Sequence, residues 1–243
     1  MSFSRTLTPS VPVTGDLLTS YMTGVGMNFA ATSFPEPNIE DTLLFASIEG
    51  LEKDDLRVLA VLVTWFEVHA PWVNADRLTK LIVAQKSPRI RALWAALARG
   101  QSKDRRFARL AASYVGLRQD LIETGTEFQV ARHGEDPRFE GSPARVAANI
   151  LRDRASDVLQ PAELATRHHA YRCRVMIGPT YRADMWAALE EDPTLSVAAL
   201  ARRTYGSFAT AWHVRRDFGH LRQVHRRPPR GLPYQAAKLT RPA

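Results

Sequence analysis

Hydroxyl, imidazole and guanidinium side chains are concentrated in one stretch of the sequence, residues 207–216. Ser207 is typical of a residue that caps a helix, and the apolar residues after it recur at helical spacing. Hydroxyl and imidazole groups can hydrogen-bond to base edges, and guanidinium groups can bind phosphates. The stretch therefore predicts a helix that contacts nucleic acid. Its candidate contacts are Ser207, Thr210, His213, Arg215 and Arg216.

The residues just before Ser207 predict a second, shorter helix. Ser196 is a suitable cap for it, and Arg202 and Arg203 close it, where they would flank the DNA backbone. Gly206 is expected to supply the turn by adopting a positive φ. The 196–218 stretch resembles a helix-turn-helix DNA-binding unit. In its second helix the expected apolar stripe is Phe208, Ala211, Trp212 and Val214, with Trp212 in the core.

Positive charge is concentrated in the same part of the chain. From Ser196 to the end, ten basic residues face one acid, Asp217, whereas the whole chain carries a net charge of +8. A local excess of this size is typical of proteins that bind polyanions. A solvated, arginine-rich face is the alternative explanation.

The last twenty or so residues suit a wing beside the two helices. Leu221–Val224 is predicted to be a strand, followed by a basic loop and a second strand from Leu232. A disordered basic tail is the alternative, and either could lie along phosphates. The basic residues of this segment that are expected to contact DNA are Arg226, Arg227 and Arg230.

A second unit of the same kind is predicted earlier, at residues 54–99. Asp54 or Asp55 caps a long helix, Asn74 caps a short one, and Ser87 followed by Pro88 begins a third. The same order of elements surrounds Ser196, with basic residues again in or near the third helix. The corresponding DNA contacts would be Lys86, Arg89 and Arg91.

The fold class expected is mostly α with minor β, with two helix-turn-helix or winged-helix units joined by a helical middle region. Residues 1–38 would be a leader with weak helix, 39–122 an N-terminal helical domain, 123–178 a connector and 179–243 the C-terminal unit. Within the middle, the sequence predicts a helix at 105–122, a β-hairpin within 126–141, and helices at 142–157 and 160–175.

Residue spacing at the C-terminal helix is also compatible with two other kinds of chemistry. His213, Asp217 and His220 have a spacing that could place three metal ligands on one helical face, although Gly219 is expected to end that helix. Arg215 and His220 have the Arg-x4-His spacing that resembles the active-site motif of the all-helical HEPN ribonucleases. That resemblance implies RNA cleavage by these two residues. The sequence otherwise holds no catalytic or phosphate-loop motif, so no enzyme activity, cofactor or metal is predicted.

A further resemblance lies just before the C-terminal unit. Tyr171-Arg172, Gly178 and Arg182-Ala183-Asp184, followed by a helix-turn-helix, are similar to winged-helix regulators encoded beside nucleotidyltransferase toxins. This resemblance implies an antitoxin that neutralises a partner enzyme and represses its own operon. The function expected first rests on the helix-turn-helix pattern and the charge: sequence-specific binding of double-stranded DNA by a transcriptional regulator that forms a homodimer. The antitoxin, with a toxin protein as its partner, is the alternative.

The remaining residues that could do chemistry are assigned structural roles. Cys173 is the one cysteine of the chain; it fits a reducing cytosol and is expected to be a buried apolar residue. His69 is expected to stabilise a helix C-terminus by its charge, and the adjacent His168 and His169 to lie on the surface. The longest apolar run is too short to cross a bilayer, so no membrane association and a cytoplasmic location are predicted.

Overall fold

The computed structural model describes Pro9 and residues 11–226, with side chains as far as Arg222. This part of the chain is mostly helical and includes one small parallel sheet, in which β1 (Gln119–Asp120) pairs with β2 (Ala144–Arg145). Short 3-10 turns lie at Ala70–Trp72, Arg105–Phe107 and Ala155–Asp157. The α-helices are α1 (Gly15–Gly24), α2 (Ile39–Glu52), α3 (Leu56–His69), α4 (Ala75–Val83), α5 (Pro88–Gly100), α6 (Ala108–Ala111), α7 (Thr126–His133), α8 (Pro161–Arg167), α9 (His169–Ile177), α10 (Tyr181–Glu191), α11 (Val197–Arg203) and α12 (Phe208–Arg226).

The caps expected from the sequence do begin helices. Asp55 accepts hydrogen bonds from the first backbone N–H groups of α3, and Asn74 and Ser87 do the same for α4 and α5. These bonds satisfy donors that a helix start otherwise leaves unpaired. The mostly helical class is confirmed, and a helix follows each of these three predicted caps.

The main core is built by α2, α3 and α5. Trp65 and Trp94 are fully buried in it, and each indole N–H has a partner: Trp65 donates to the Val25 carbonyl at 2.8 Å and Trp94 to the Ser47 hydroxyl at 3.0 Å. Phe66 contacts Trp94 edge-on, with ring centroids 5.3 Å apart. Helices that are apolar on nearly all sides belong in such a core.

The predictions for the middle of the chain were mostly wrong. The helix expected at 105–122 is a 3-10 turn and the short α6, and the hairpin expected within 126–141 is helix α7. Residues 142–157 hold β2 and irregular chain instead of a helix. The physical reason is a set of long-range bonds: the Arg118 guanidinium donates to the carbonyls of Ser142, Phe139 and Ala144 at 2.9–3.2 Å and holds these loops together.

The helix expected at 160–175 is broken in two at His168. This residue has extended backbone angles, and its imidazole Nδ1 accepts a hydrogen bond from the Tyr171 N–H at 3.1 Å, which caps α9. His168 is therefore buried and not a surface residue. Burial lowers its pKa, despite the nearby Glu36.

At the C-terminal end, α10, α11 and α12 pack around their own small core, which includes Met185, Leu189, Leu200, Ala211 and Val214. Helix α12 runs through Gly219 to Arg226, so Leu221–Val224 is helical and the predicted first strand of a wing is wrong. The second predicted strand and the residues 1–8 of the predicted leader lie outside the described part of the chain. Among the helices that are described, none combines the length and the apolar character needed to cross a membrane.

Candidate nucleic-acid interface

Helices α11 and α12 are joined by a tight turn, residues 204–207. Ser196 caps α11 and Ser207 caps α12, as expected: each hydroxyl accepts a backbone N–H, from Ala199 at 3.1 Å and from Thr210 at 3.0 Å respectively. The left-handed residue of the turn is Tyr205, with φ +56°, and not Gly206. An added Cβ at position 206 would lie 2.1 Å from the Met185 Cε, so a larger residue there requires the end of the Met185 side chain to move.

One side of α12 is buried against α10 and α11, and the other side is open. The buried residues are Ala211, Val214 and Phe218, at i, i+3 and i+7. Phe208 and Trp212, predicted for the apolar stripe, are 44% and 48% exposed, so that part of the prediction was wrong. Trp212 is a surface aromatic, and its ring meets the His213 ring edge-on at 5.0 Å.

The predicted base-reading residues differ in their freedom to bind. The Ser207 hydroxyl is occupied by the helix cap and by the Thr210 hydroxyl, at 2.7 Å. Thr210 is half-buried and His213 is exposed. His213 is therefore the exposed polar group of this set near the start of α12, whereas the half-buried Thr210 hydroxyl is bonded to Ser207.

The predicted phosphate-binding arginines divide into two groups. Arg203 forms an ion pair with Glu191, and the Arg215 guanidinium donates to the Leu195 carbonyl, so both are held within the unit. Arg202 is exposed, and its guanidinium makes no hydrogen bond or ion pair within the described part of the chain. Arg216 lies over the Trp212 ring, 5.3 Å from its centroid, and pairs with Asp217 at 2.9 Å.

Three predicted contacts lie beyond the described side chains. Arg226 is the last described residue of α12, and nothing is described of its side chain; Arg227 and Arg230 lie outside the described chain. Arg222, which the prediction did not include, is exposed, with its guanidinium 5.8 Å from the centroid of the Phe218 ring.

The predicted first unit does not present a helix in the same way. Helix α5 is buried along almost its whole length, from Ile90 through Ala98, so it has no open side to enter a groove. Arg89 is paired with Asp54 at 3.0 Å and with Glu123, and Arg91 donates to the Ser113 carbonyl at 2.8 Å. Lys86 alone of the three is exposed.

The competing chemistries on α12 find little support in the geometry. Asp217 is bound by Arg216 and Arg182, whose hydrogen bonds lower its pKa. In the described chain the residues His213, Asp217 and His220 do not form a metal-ligand cluster. Arg215 and His220 line one shallow depression with Trp212 and Arg216, but the Arg215 guanidinium is turned toward Leu195.

A buried ionic cluster joins the C-terminal helices to the rest of the protein. The Arg174 guanidinium donates to Glu40 at 2.6 and 2.9 Å and to Asp184 at 2.7 and 3.0 Å, and all three residues are buried. Burial by itself would raise the pKa of both carboxyls, Glu40 and Asp184. At Glu40 the attraction of Arg174 and Arg77 outweighs burial and leaves the pKa below its usual value, whereas the pKa of Asp184 stays raised.

The turn of the C-terminal unit takes part in a second cluster. The Tyr205 ring covers the Arg77 guanidinium, 3.5 Å from the ring centroid, and Arg77 forms an ion pair with Asp41. Burial, first, and then the neighbouring Asp41 raise the pKa of Tyr205 above its usual range. The residue that shapes the turn before α12 is thus anchored on α2 and α4.

Neither cluster is predicted by the sequence, although its motifs include Asp184, a member of the first cluster, and Tyr171, which lies on α9 with Arg174. Asp184 and Tyr171 belong to the motif that resembles antitoxin-type regulators, and here they have structural partners. The Tyr171 hydroxyl lies 2.7 Å from His69 Nδ1, while His69 Nε2 lies 3.0 Å from the Leu159 carbonyl. Burial lowers the pKa of His69 to about 4, so this histidine is neutral and the expected charge at the helix C-terminus is wrong.

A scan against protein-family models, a search of curated proteins and a search of solved structures gave no match to this chain.

Proposed function

We propose that this protein binds double-stranded DNA and that α12 is the helix that enters the major groove. The observation that carries the proposal is the placement of α12 directly after a tight turn, with one side packed on α10 and α11 and the other open. An α-helix with its side chains is about 10–12 Å wide and fits a major groove about 12 Å wide. The open side carries the exposed Trp212, His213 and Arg216.

Each exposed group has a role that its chemistry suits. His213 and Thr210 would hydrogen-bond to base edges, and the Trp212 ring would pack against sugars or a thymine methyl group. Arg202 and Arg216 would bind phosphates on either side of the helix. Because Arg203 and Arg215 are held by Glu191 and Leu195, they would position the helices and not contact DNA.

Binding to phosphates makes a direct prediction about salt. Each phosphate neutralised by an arginine releases a condensed cation, so affinity falls as salt rises. We would select bound duplexes from a random pool and titrate the best one by fluorescence anisotropy at two salt concentrations. Absence of binding, or an affinity that does not change with salt, would contradict the proposal.

The variant Arg216→Glu tests the surface itself. Its affinity should fall by at least about tenfold, roughly 1.4 kcal/mol, and its salt dependence should become weaker. Arg132→Glu is the matched control, since Arg132 is also exposed but lies on α7. Equal losses in the two variants would show that net charge and not α12 determines binding. The circular dichroism spectra should be the same for both.

The same titrations separate the other functions. If the protein preferred RNA and cleaved it, and if His220→Ala removed the cleavage, the ribonuclease interpretation would replace DNA binding. A homodimer reading two half-sites is part of the proposal, and light scattering on the protein with and without its selected duplex measures it. If a monomer binds a single half-site, the homodimer is wrong, but the proposal of DNA binding is not affected.

A second candidate function is that of an antitoxin-type protein that binds a partner enzyme. The observation that favours it is an exposed apolar end of α9, where Val175, Met176 and Ile177 are 45%, 62% and 52% exposed. Co-expression should then relieve the toxicity of any nucleotidyltransferase encoded beside this protein. Met176→Glu should abolish this protection while leaving DNA binding unchanged; protection by the variant would exclude this surface.

A further inference from the structure

Three different metal-binding groups converge where α9 packs against α10. His169 Nε2 lies 3.9 Å from the Cys173 Sγ and 2.7 Å from the Glu190 Oε2. The three ligand atoms all lie within 4.8 Å of one another. None of these residues belongs to the proposed DNA-binding surface, and the sequence analysis assigned no ligand to them.

The helices hold these groups in place. His169 and Cys173 are at i and i+4 on one face of α9, and Glu190 comes from α10. The Trp186 indole N–H donates to the Glu190 Oε1 at 3.0 Å, which leaves Oε2 facing His169. Cys173 is completely buried beside Ala183 and Ala187, so its sulfur approaches the other two groups from the protein side.

We propose that His169, Cys173 and Glu190 bind one zinc ion. A nitrogen, a thiolate and a carboxylate oxygen are the ligands that zinc takes in proteins. Zinc–ligand distances near 2.0–2.3 Å place neighbouring atoms of a tetrahedral site roughly 3.4–3.6 Å apart. The His169–Cys173 distance must therefore shorten by a few tenths of an ångström, and the His169–Glu190 distance must lengthen by somewhat more.

Zinc binding also changes the protonation of the Cys173 thiol and the His169 ring. The Cys173 thiol loses its proton to solvent as the Zn–S bond forms. Because the Arg172 guanidinium can only donate, the proton of a neutral His169 ring lies on Nε2, toward Glu190, before zinc binds; it moves to Nδ1 as Nε2 binds the metal. Arg172, whose Nη2 now lies 2.6 Å from that Nδ1, must turn away, and its exposed position allows this. His169 also lines a cavity of about 170 Å³, from which a water molecule can supply the fourth ligand.

The site would connect two parts of the structure. Helix α9 carries Arg174, which bonds to Glu40 of α2, and α10 is the first helix of the unit that holds α12. A zinc ion between them adds a link close to the buried ionic cluster. Zinc is therefore expected to stabilise the whole chain against unfolding, since it binds the folded state.

Cobalt(II) gives the sharpest test, because it occupies zinc sites and shows a sulfur-to-cobalt charge-transfer band when a thiolate binds it. The chain has one cysteine, so any such band reports Cys173 alone. We expect one equivalent of cobalt to produce the band and one equivalent of zinc to remove it. Cys173→Ser should abolish the band, which checks its origin.

The ligand assignment is tested by variants at the exposed side of the site. Glu190→Gln and His169→Ala should each weaken zinc binding at least tenfold and remove the zinc-dependent rise in melting temperature. His133→Ala, at an exposed histidine of α7, is the matched control and should leave both unchanged. Absence of a thiolate band in the folded wild-type protein, or unchanged zinc affinity in Glu190→Gln and His169→Ala, would overturn the proposal.

Discussion

Replacing Arg174 with methionine should destabilise the protein strongly, and the size of the effect should depend on pH. The guanidinium has five N–H donors, and all five are used: two bonds go to Glu40, two to Asp184 and one to the Trp72 carbonyl at 3.3 Å. Methionine keeps much of the volume but leaves two carboxylates buried without their cation.

The magnitude follows from what is left behind. Removing one partner of a buried ion pair costs about 3–5 kcal/mol, and here the two remaining carboxylates also repel each other. A loss of this size is a large part of the roughly 5–15 kcal/mol that holds a typical domain folded. For a chain of this length it corresponds to a fall in melting temperature of roughly 6–20 °C.

The pH dependence has a definite sign. Without Arg174, burial raises the pKa values of Glu40 and Asp184 above those of the unfolded chain, so the folded variant holds protons that the unfolded chain releases. The free energy of unfolding of the variant must then fall as pH rises, and its deficit relative to wild type should be larger at pH 8 than at pH 5.

Urea denaturation at pH 5 and pH 8 measures both quantities. Arg132→Met, on the exposed surface of α7, is the control and should stay within about 0.5 kcal/mol of wild type. The triple variant Arg174→Met, Glu40→Gln, Asp184→Asn should recover part of the loss, because Glu40 and Asp184 are then no longer buried as unpaired charges, while Arg77 and Asp41 stay paired with each other. A deficit below about 1 kcal/mol, or one that is the same at both pH values, would refute the reasoning.

Three further predictions concern single residues. His69 is neutral, with a pKa of about 4. Its contribution to the free energy of unfolding should be complete above its unfolded pKa near 6.5 and should fall by up to about 3 kcal/mol as the pH drops to 4. His69→Gln should flatten this part of the curve of unfolding free energy against pH. Gly206→Ala should cost about 1 kcal/mol in urea denaturation, because its Cβ would lie 2.1 Å from the Met185 Cε and the end of that buried side chain must shift, whereas Gly100→Ala, with nothing within 4 Å, should not destabilise. Ser207→Ala removes the cap of α12 and should cost about 1 kcal/mol by the same measurement; no change would show that the turn alone fixes where the helix begins.

The helices that were predictable from sequence are those whose starts are encoded locally. Asp55, Asn74 and Ser87 each cap the helix that follows them, and their partners are two or three residues away. The region 105–157 was not predictable in this way, because Arg118 holds its loops through bonds that span 21–26 residues. Local periodicity cannot reveal such bonds.

The candidate DNA-binding site was predictable only in part. The start of α12 follows from Ser207, but which side of the helix is buried does not, since apolar residues such as Trp212 also occur on surfaces. The bond between Arg174 and Glu40 joins residues 134 positions apart. A single sequence gives no signal for that pairing, although a buried arginine requires carboxylates somewhere in the fold.

The contact between the Tyr205 ring and the Arg77 guanidinium limits how α12 could be positioned on DNA. Because the turn before α12 is fixed to α2 and α4, α12 cannot rotate by itself to reach a displaced half-site. In the proposed dimer, the distance between the two α12 helices would then be fixed by the rest of the two protein chains, and so would the spacing of the two half-sites. Inserting one base pair between the half-sites rotates one of them by roughly 35° about the duplex axis. An operator changed in this way should lose cooperative binding of the dimer. Adding a full helical turn returns both half-sites to the same side of the duplex.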